Sequence, residues 1–132
     1  MDQSELFKHL RILVVDDSFF NLLIVTQFLE RWGITVDTAG NGQEAVDKVK
    51  EHRYDMVFMD LQMPEMDGCT ATVHIRSMEG GYFKTLPVIA LTASPEDHIR
   101  EAIDAAKITD YLPKPITSEG LFLVIAKYLH ND

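Results

Sequence analysis

A chain of 132 residues suits one domain with a single core and leaves no room for a second. Its 46% hydrophobic and 25% charged content is that of an ordinary globular protein, and no apolar run is long enough to span a bilayer. The formal charge of −9 comes without a basic stripe, which excludes direct nucleic-acid binding and fits partners with basic patches, or bound cations. The start, MDQSELFKHL, lacks the apolar stretch of a signal peptide. A single cysteine, Cys69, cannot form an internal disulfide, so a reducing compartment, the cytoplasm, is expected.

Short β-rich runs alternate with longer helical patterns. RILVVD (11–16) is almost wholly apolar, as a strand covered on both faces must be. From Asn21, the apolar positions Leu22, Val25, Phe28 and Leu29 recur at helical spacing until Gly33 stops the helix. ITVDTA (34–39) alternates like a strand nearer an edge, and Gly42 to Lys50 carries Ala45, Val46 and Val49 on one helical face. MVFMD (56–60) is a buried run that leads into a turn at Pro64, with a helix predicted from Asp67 to Ser77. LPVIALTA (86–93) is a fourth strand, and Pro95 suits the first turn of a helix over EDHIREAIDAA. DYLPKP holds a short fifth strand. Ser118 is the expected N-cap of a last helix through His130, with Leu121, Val124, Ile125, Tyr128 and Leu129 inward.

Five βα units in alternation predict a parallel sheet wrapped by helices on both faces, an α/β protein. Five strands are too few for a closed barrel, so an open, doubly wound sheet follows. Ligands of such sheets bind beyond the carboxyl ends of the strands, which makes the residues there the informative ones. The first strand ends in Asp16-Asp17, the third in Asp60 and the fourth in Thr92, while Lys114 follows the fifth. The second ends in Thr38-Ala39, which carries no such chemistry.

Three converging carboxylates repel one another unless a cation neutralises them or one takes up a proton. Mg²⁺ favours one or two carboxylates completed by water and phosphate oxygens. A carboxylate can also attack phosphorus to give an aspartyl phosphate, and the transfer needs cationic neutralisation of the phosphoryl oxygens. Lys114 could supply a point charge and Thr92 a hydroxyl donor. The set is chemically complete for reversible phosphorylation of an aspartate.

VVDD, MDLQMPEMDG, ALTA and DYLPKP, in that order and each at a strand end, resemble the receiver domains of bacterial two-component response regulators. The resemblance covers residues 11 to 130, the expected domain, and leaves 1–10 as an N-terminal extension. VDDSFFN and GNGQEAV look most like receivers attached to hybrid histidine kinases or standing alone. What the resemblance implies is a flavodoxin-like (βα)5 three-layer sandwich with strand order 2-1-3-4-5. It makes Asp60 the phosphoacceptor, Asp17 a direct Mg²⁺ ligand, Asp16 a ligand mainly through water, and the Gln62 backbone carbonyl a further ligand. Mn²⁺ is the expected substitute metal. Thr92 and Lys114 would each hold a phosphoryl oxygen, and the Lys114–Pro115 bond would be cis.

The resemblance further implies that Tyr111 rotates inward when Thr92 is drawn toward the phosphate. Its readout is the face of the fourth predicted helix, the fifth strand and the last helix, where a downstream protein would dock. Gln62 and Ser94 would flank the phosphate and tune hydrolysis. The phosphoryl donor would be a phosphohistidine on a histidine kinase or histidine phosphotransfer protein, with self-catalysed phosphorylation and dephosphorylation and no separate substrate turnover. One position departs from the pattern. The loop before the fifth strand usually holds glycine where this chain has Lys107, so a positive φ there would strain the lysine.

Other readings fit less of the chain. A phosphohydrolase of the haloacid-dehalogenase type needs an acid/base two residues after its nucleophile, where Gln62 stands. A flavodoxin needs a Ser/Thr/Gly-rich loop after the first strand, and DDSFFN would repel a phosphate. A pseudo-receiver scaffold would have lost an acid, the acceptor or the lysine, and all are present. The five histidines have no ligand spacing, and Cys69 and the methionines of the third strand and its loop read as packing residues.

Overall fold

The computed structural model describes residues 7–93 and 97–129, and for Asp97 and His98 the backbone alone. Arg11–Val15 forms β1, and Ser18 then caps helix α1, Phe19–Arg31, by accepting the Asn21 amide at 3.3 Å. Gly33, at φ 82, ends it and turns the chain into β2, Thr35–Ala39. Asn41 caps α2, Gly42–Glu51, through a 2.8 Å bond from the Glu44 amide. Asp67 caps α3, Gly68–Arg76, which follows β3, Met56–Asp60. A five-residue helix, α4 (Gly81–Thr85), was not anticipated from the sequence; it precedes β4, Val88–Thr92. Then come α5 (Asp97–Ala105), β5 (Asp110–Pro113) and α6 (Ser118–Tyr128).

All strand pairings are parallel, in the order β2-β1-β3-β4-β5. The expected doubly wound sheet and strand order are therefore both present. ITVDTA does form an edge strand, while β3 and β4 are buried along their whole lengths. The period of two along a strand divides the core into two layers. Leu13, Val15, Val57, Met59, Val88 and Ala90 face α2, α3 and α5, whereas Ile12, Val14, Met56, Phe58, Ile89 and Leu91 face α1 and α6. Each large side chain buried this completely contributes about 1.5–3 kcal/mol. Phe7 and Leu10, ahead of β1, belong to the second layer, with Phe7 packed on Trp32 and Phe122.

Two local expectations need correction. The last helix is capped by Thr117, whose hydroxyl accepts the Gly120 amide at 3.0 Å, and not by Ser118, its first helical residue. Thr117 is the residue with extended backbone, φ −113 and ψ 153, and a cap needs that conformation. The helix also ends at Tyr128; His130 and Pro95 lie outside the described residues.

Candidate functional site

Parallel register brings the strand ends together. Asp60 lies opposite Leu91, and Thr92 opposite Pro113, so the last residues of β3 and β4 and Lys114 beyond β5 share one rim. Val15 pairs with Met59, which sets Asp16 and Asp17 beside Asp60. The carboxylates of Asp16, Asp17 and Asp60 each have a ligand atom within 4.8 Å of the others'. Asp16 and Asp60 are 1% and 2% exposed, whereas Asp17 is open to solvent.

Asp60 Oδ1 accepts two hydrogen bonds, from the Gln62 amide at 3.2 Å and from Lys114 Nζ at 3.1 Å. Lys114 Nζ also lies 3.6 Å from Asp16 Oδ2. Asp16 is held by the Ser18 amide, 2.9 Å from Oδ1, and by Asn21 Nδ2, 3.3 Å from Oδ2. Burial and the neighbouring Asp16 charge hold the Asp60 carboxyl above its usual range; the Gln62 amide and Lys114 offset this only in part. The acidic set is therefore short of positive charge, which is the condition a hard divalent cation relieves. Its donors are all oxygens, so the residues fit Mg²⁺.

Thr92 is buried at the end of β4, and its carbonyl accepts the Lys114 amide at 2.8 Å. The Lys114–Pro115 peptide is cis, as expected. Tyr111 is half-buried on β5, with its hydroxyl 2.7 Å from an Arg100 amino group. Ser94 lies outside the described residues.

One supporting residue escaped the sequence reading, and the expected turn over 64–68 beside Asp60 is seen in detail. Asn21 supports Asp16 from the first turn of α1, and its only signal is a position five residues after that acid. Gly68 starts α3 against Asp60: a Cβ there would collide with the Asp60 carbonyl oxygen and approach Met59 Cγ to 2.9 Å. Within MPEMDG, Glu65 has φ 67 and the Met66 amide bonds the Pro64 carbonyl at 2.8 Å, a three-residue γ-turn. A groove of about 490 Å³ opens beside the cluster, between Phe20 and Ile24 on α1 and Pro115 and Ile116 beyond β5.

An open, doubly wound five-stranded sheet with an acid triad, a lysine and a threonine at its strand ends defines a class of phosphoryl-handling α/β domains. Within it, the chain belongs to the response regulator receiver domain family, whose model matches residues 12–126. That family accepts phosphoryl groups in two-component signalling. Hybrid signal transduction histidine kinase B of Dictyostelium discoideum is 38% identical over 130 residues, which cover 91% of this chain. The chain spans 7% of that relative's length, and 13% of the length of the bacterial sensor kinases it matches.

Among solved structures, one neighbour is the receiver domain of sensor histidine kinase PA1611 from Pseudomonas aeruginosa PAO1, which holds a magnesium ion in its active-site cleft. It matches with a TM-score of 0.83 and 33% identity, over 90% of this chain and 96% of that one. Another is the receiver domain of Ssk1 from Saccharomyces cerevisiae, solved with the histidine phosphotransfer protein Ypd1. That match has a TM-score of 0.81 and 30% identity, over 90% of this chain and 88% of that one. No helix among the described residues is long and apolar enough to cross a membrane.

Proposed function

We propose that Asp60 is the phosphoacceptor of a signalling switch, charged by a phosphohistidine on a partner histidine kinase or histidine phosphotransfer protein. The observation that carries this reading is the buried Asp60 carboxylate, 3.1 Å from Lys114 Nζ and grouped with Asp16 and Asp17. Both of its hydrogen bonds among the described residues fall on Oδ1, which leaves Oδ2 as the nucleophile. A bond forms between Oδ2 and phosphorus, the donor's P–N bond breaks, and the electron pair stays on the imidazole nitrogen. Lys114 neutralises one phosphoryl oxygen and the Thr92 hydroxyl donates to another. Asp16, Asp17, Asp60 and the Gln62 carbonyl would hold Mg²⁺, or Mn²⁺ in its place. When bound, the ion supplies charge neutralisation at the carboxylates and the phosphoryl oxygens.

Water reverses the modification, with Gln62 and Ser94 beside the phosphate setting the lifetime. The domain, residues 11–130 behind a short 1–10 extension, turns over no separate substrate and works in the cytoplasm. Its output is a change of the α5–β5–α6 face, led by Thr92 and Tyr111 and read by a downstream protein, without direct contact to nucleic acid or membrane. The PA1611 and Ssk1 neighbours support the metal and the donor class. The test is incubation with Mg²⁺ and acetyl phosphate, followed by intact mass. The wild type gains one phosphoryl group and Asp60→Asn gains none. No gain in the wild type, or an equal gain in Asp60→Asn, overturns the assignment.

A further inference from the structure

The switch residue proposed above is held by a partner on another element. The Arg100 amino group donates to the Tyr111 hydroxyl at 2.7 Å, and the guanidinium carbon lies 5.5 Å from the Tyr111 ring centroid. A guanidinium has no acceptor, so the phenol oxygen must accept, and the guanidinium, seated beyond the hydroxyl edge, fixes the tip of the ring. Arg100 stands on α5, the helix that follows β4 and its terminal Thr92. Tyr111 lies opposite Ala90 on β4, two residues before Thr92, so Ala90, Thr92 and Tyr111 share the face that α5 covers. Tyr111 and Thr92 are diagonal neighbours on that face, and the small Ala90 side chain opposite the tyrosine leaves room beside it.

The other tyrosines are held differently. Tyr54 and Tyr128 each donate a 2.7 Å bond to a carboxylate, Asp37 and Asp110, and the Tyr82 hydroxyl accepts the Tyr54 amide at 2.7 Å. None of those three hydroxyls is bonded to α5, the helix that follows Thr92. Arg100, by contrast, is solvent-exposed, so on losing the phenol its charge returns to water at little cost.

We infer that Arg100 is a positioning residue, a guanidinium latch on α5 that keeps the Tyr111 ring outward and so sets how readily the domain enters its phosphorylated form. The inference rests on the reading of Tyr111 as the residue that follows Thr92. A contact of this kind at an exposed site shifts a two-state ring equilibrium by roughly three- to tenfold.

The experiment is fluorine NMR of the chain labelled with 3-fluorotyrosine, the Tyr111 resonance being the one lost in Tyr111→Phe. Spectra are taken with and without beryllofluoride and Mg²⁺, and acetyl phosphate labelling is timed by intact mass. The wild-type resonance moves on beryllofluoride. In Arg100→Ala the resting resonance already lies toward that position and labelling is about three- to tenfold faster. Arg100→Lys, which keeps the charge but loses the planar fork, falls between the two. Arg100→Gln repeats the comparison if the alanine variant is unstable. If the wild-type resonance moves but Arg100→Ala leaves position and rate unchanged, the latch is wrong and the switch stands. If the wild-type resonance does not move, both are wrong.

Discussion

The two ends of the sheet treat their polar groups in opposite ways. At the amino end, charged groups are met mainly by the chain itself. Arg76, in the last turn of α3, donates to the carbonyls of Phe83, Leu86 and Lys107 at 2.9, 2.8 and 3.1 Å, and so ties α4 and the approaches to β4 and β5 to one guanidinium. Asp37 on β2 accepts from Arg11 and from the Tyr54 hydroxyl, both at 2.7 Å. At the carboxyl end, three carboxylates crowd together, and among the described residues Lys114 alone is in salt-bridge range of them. One end is met by the chain almost throughout, Arg11 Nε being the buried exception among its described residues; the other is left short of positive charge. The difference marks which polar groups serve the fold and which serve a ligand.

The sharpest way to break that contrast is Arg76→Ala. It leaves three carbonyls without their shared donor, at a cost of about 3 kcal/mol. Urea denaturation measures it, while acetyl phosphate labelling of the folded protein stays near the wild-type rate. A loss well under 1 kcal/mol would mean that the amino end is not held by this residue.

The opposite sign is expected at the other end. The upward shift of the Asp60 carboxyl means that its charge opposes folding when no cation is present. Asp60→Asn therefore stabilises the metal-free protein, by on the order of 1 kcal/mol. Adding Mg²⁺ raises the wild-type melting temperature and narrows the gap, because an ion that binds the folded state adds its binding free energy. A metal-free Asp60→Asn no more stable than the wild type would remove the claim of unrelieved repulsion.

The crevice was legible in the sequence because buried parallel strands read as apolar runs, and a run such as MVFMD that stops on a charge announces its own end. The amino end was not legible. Arg76 looks like any helix residue, and its partners, Phe83 and Leu86 in and just after α4 and Lys107 before β5, lie in segments that only the fold brings to it. The short α4 carries too few residues for a period to show. Asn21 was hidden for another reason, since a lone Asn in a first turn looks like ordinary helix-start chemistry.

Lys107 falls between these cases. The sequence showed that it departs from the usual glycine, and the structure puts it at φ 60, its amide bonded to the Asp104 carbonyl at 3.1 Å. Left-handed backbone costs a residue with a Cβ more than it costs glycine. Lys107→Gly is accordingly expected to stabilise the protein by about 0.5–1 kcal/mol, read as a higher melting temperature. A neutral or lower value would show that contacts of the lysine side chain outweigh the backbone strain.

The smallest expected effect tests whether the amino end behaves under titration as an end met by the chain. Burial alone would raise the Asp37 carboxyl, but the hydrogen bonds from Tyr54 and Arg11, with the charges of Arg11 and Lys48, outweigh it and hold it below the usual range. A depressed carboxylate adds stability above its unfolded pKa and loses that contribution as pH falls through the folded value. Asp37→Asn should therefore lose stability near neutral pH and show a shallower acid limb, so that the gap to the wild type closes as acid protonates Asp37 in both states. Urea midpoints taken from about pH 7 down to about pH 2 give the two curves. Parallel curves would mean that the Asp37 charge contributes nothing. A gap that widens in acid would reverse the sign, and place the under-compensated carboxylates at the wrong end of the sheet.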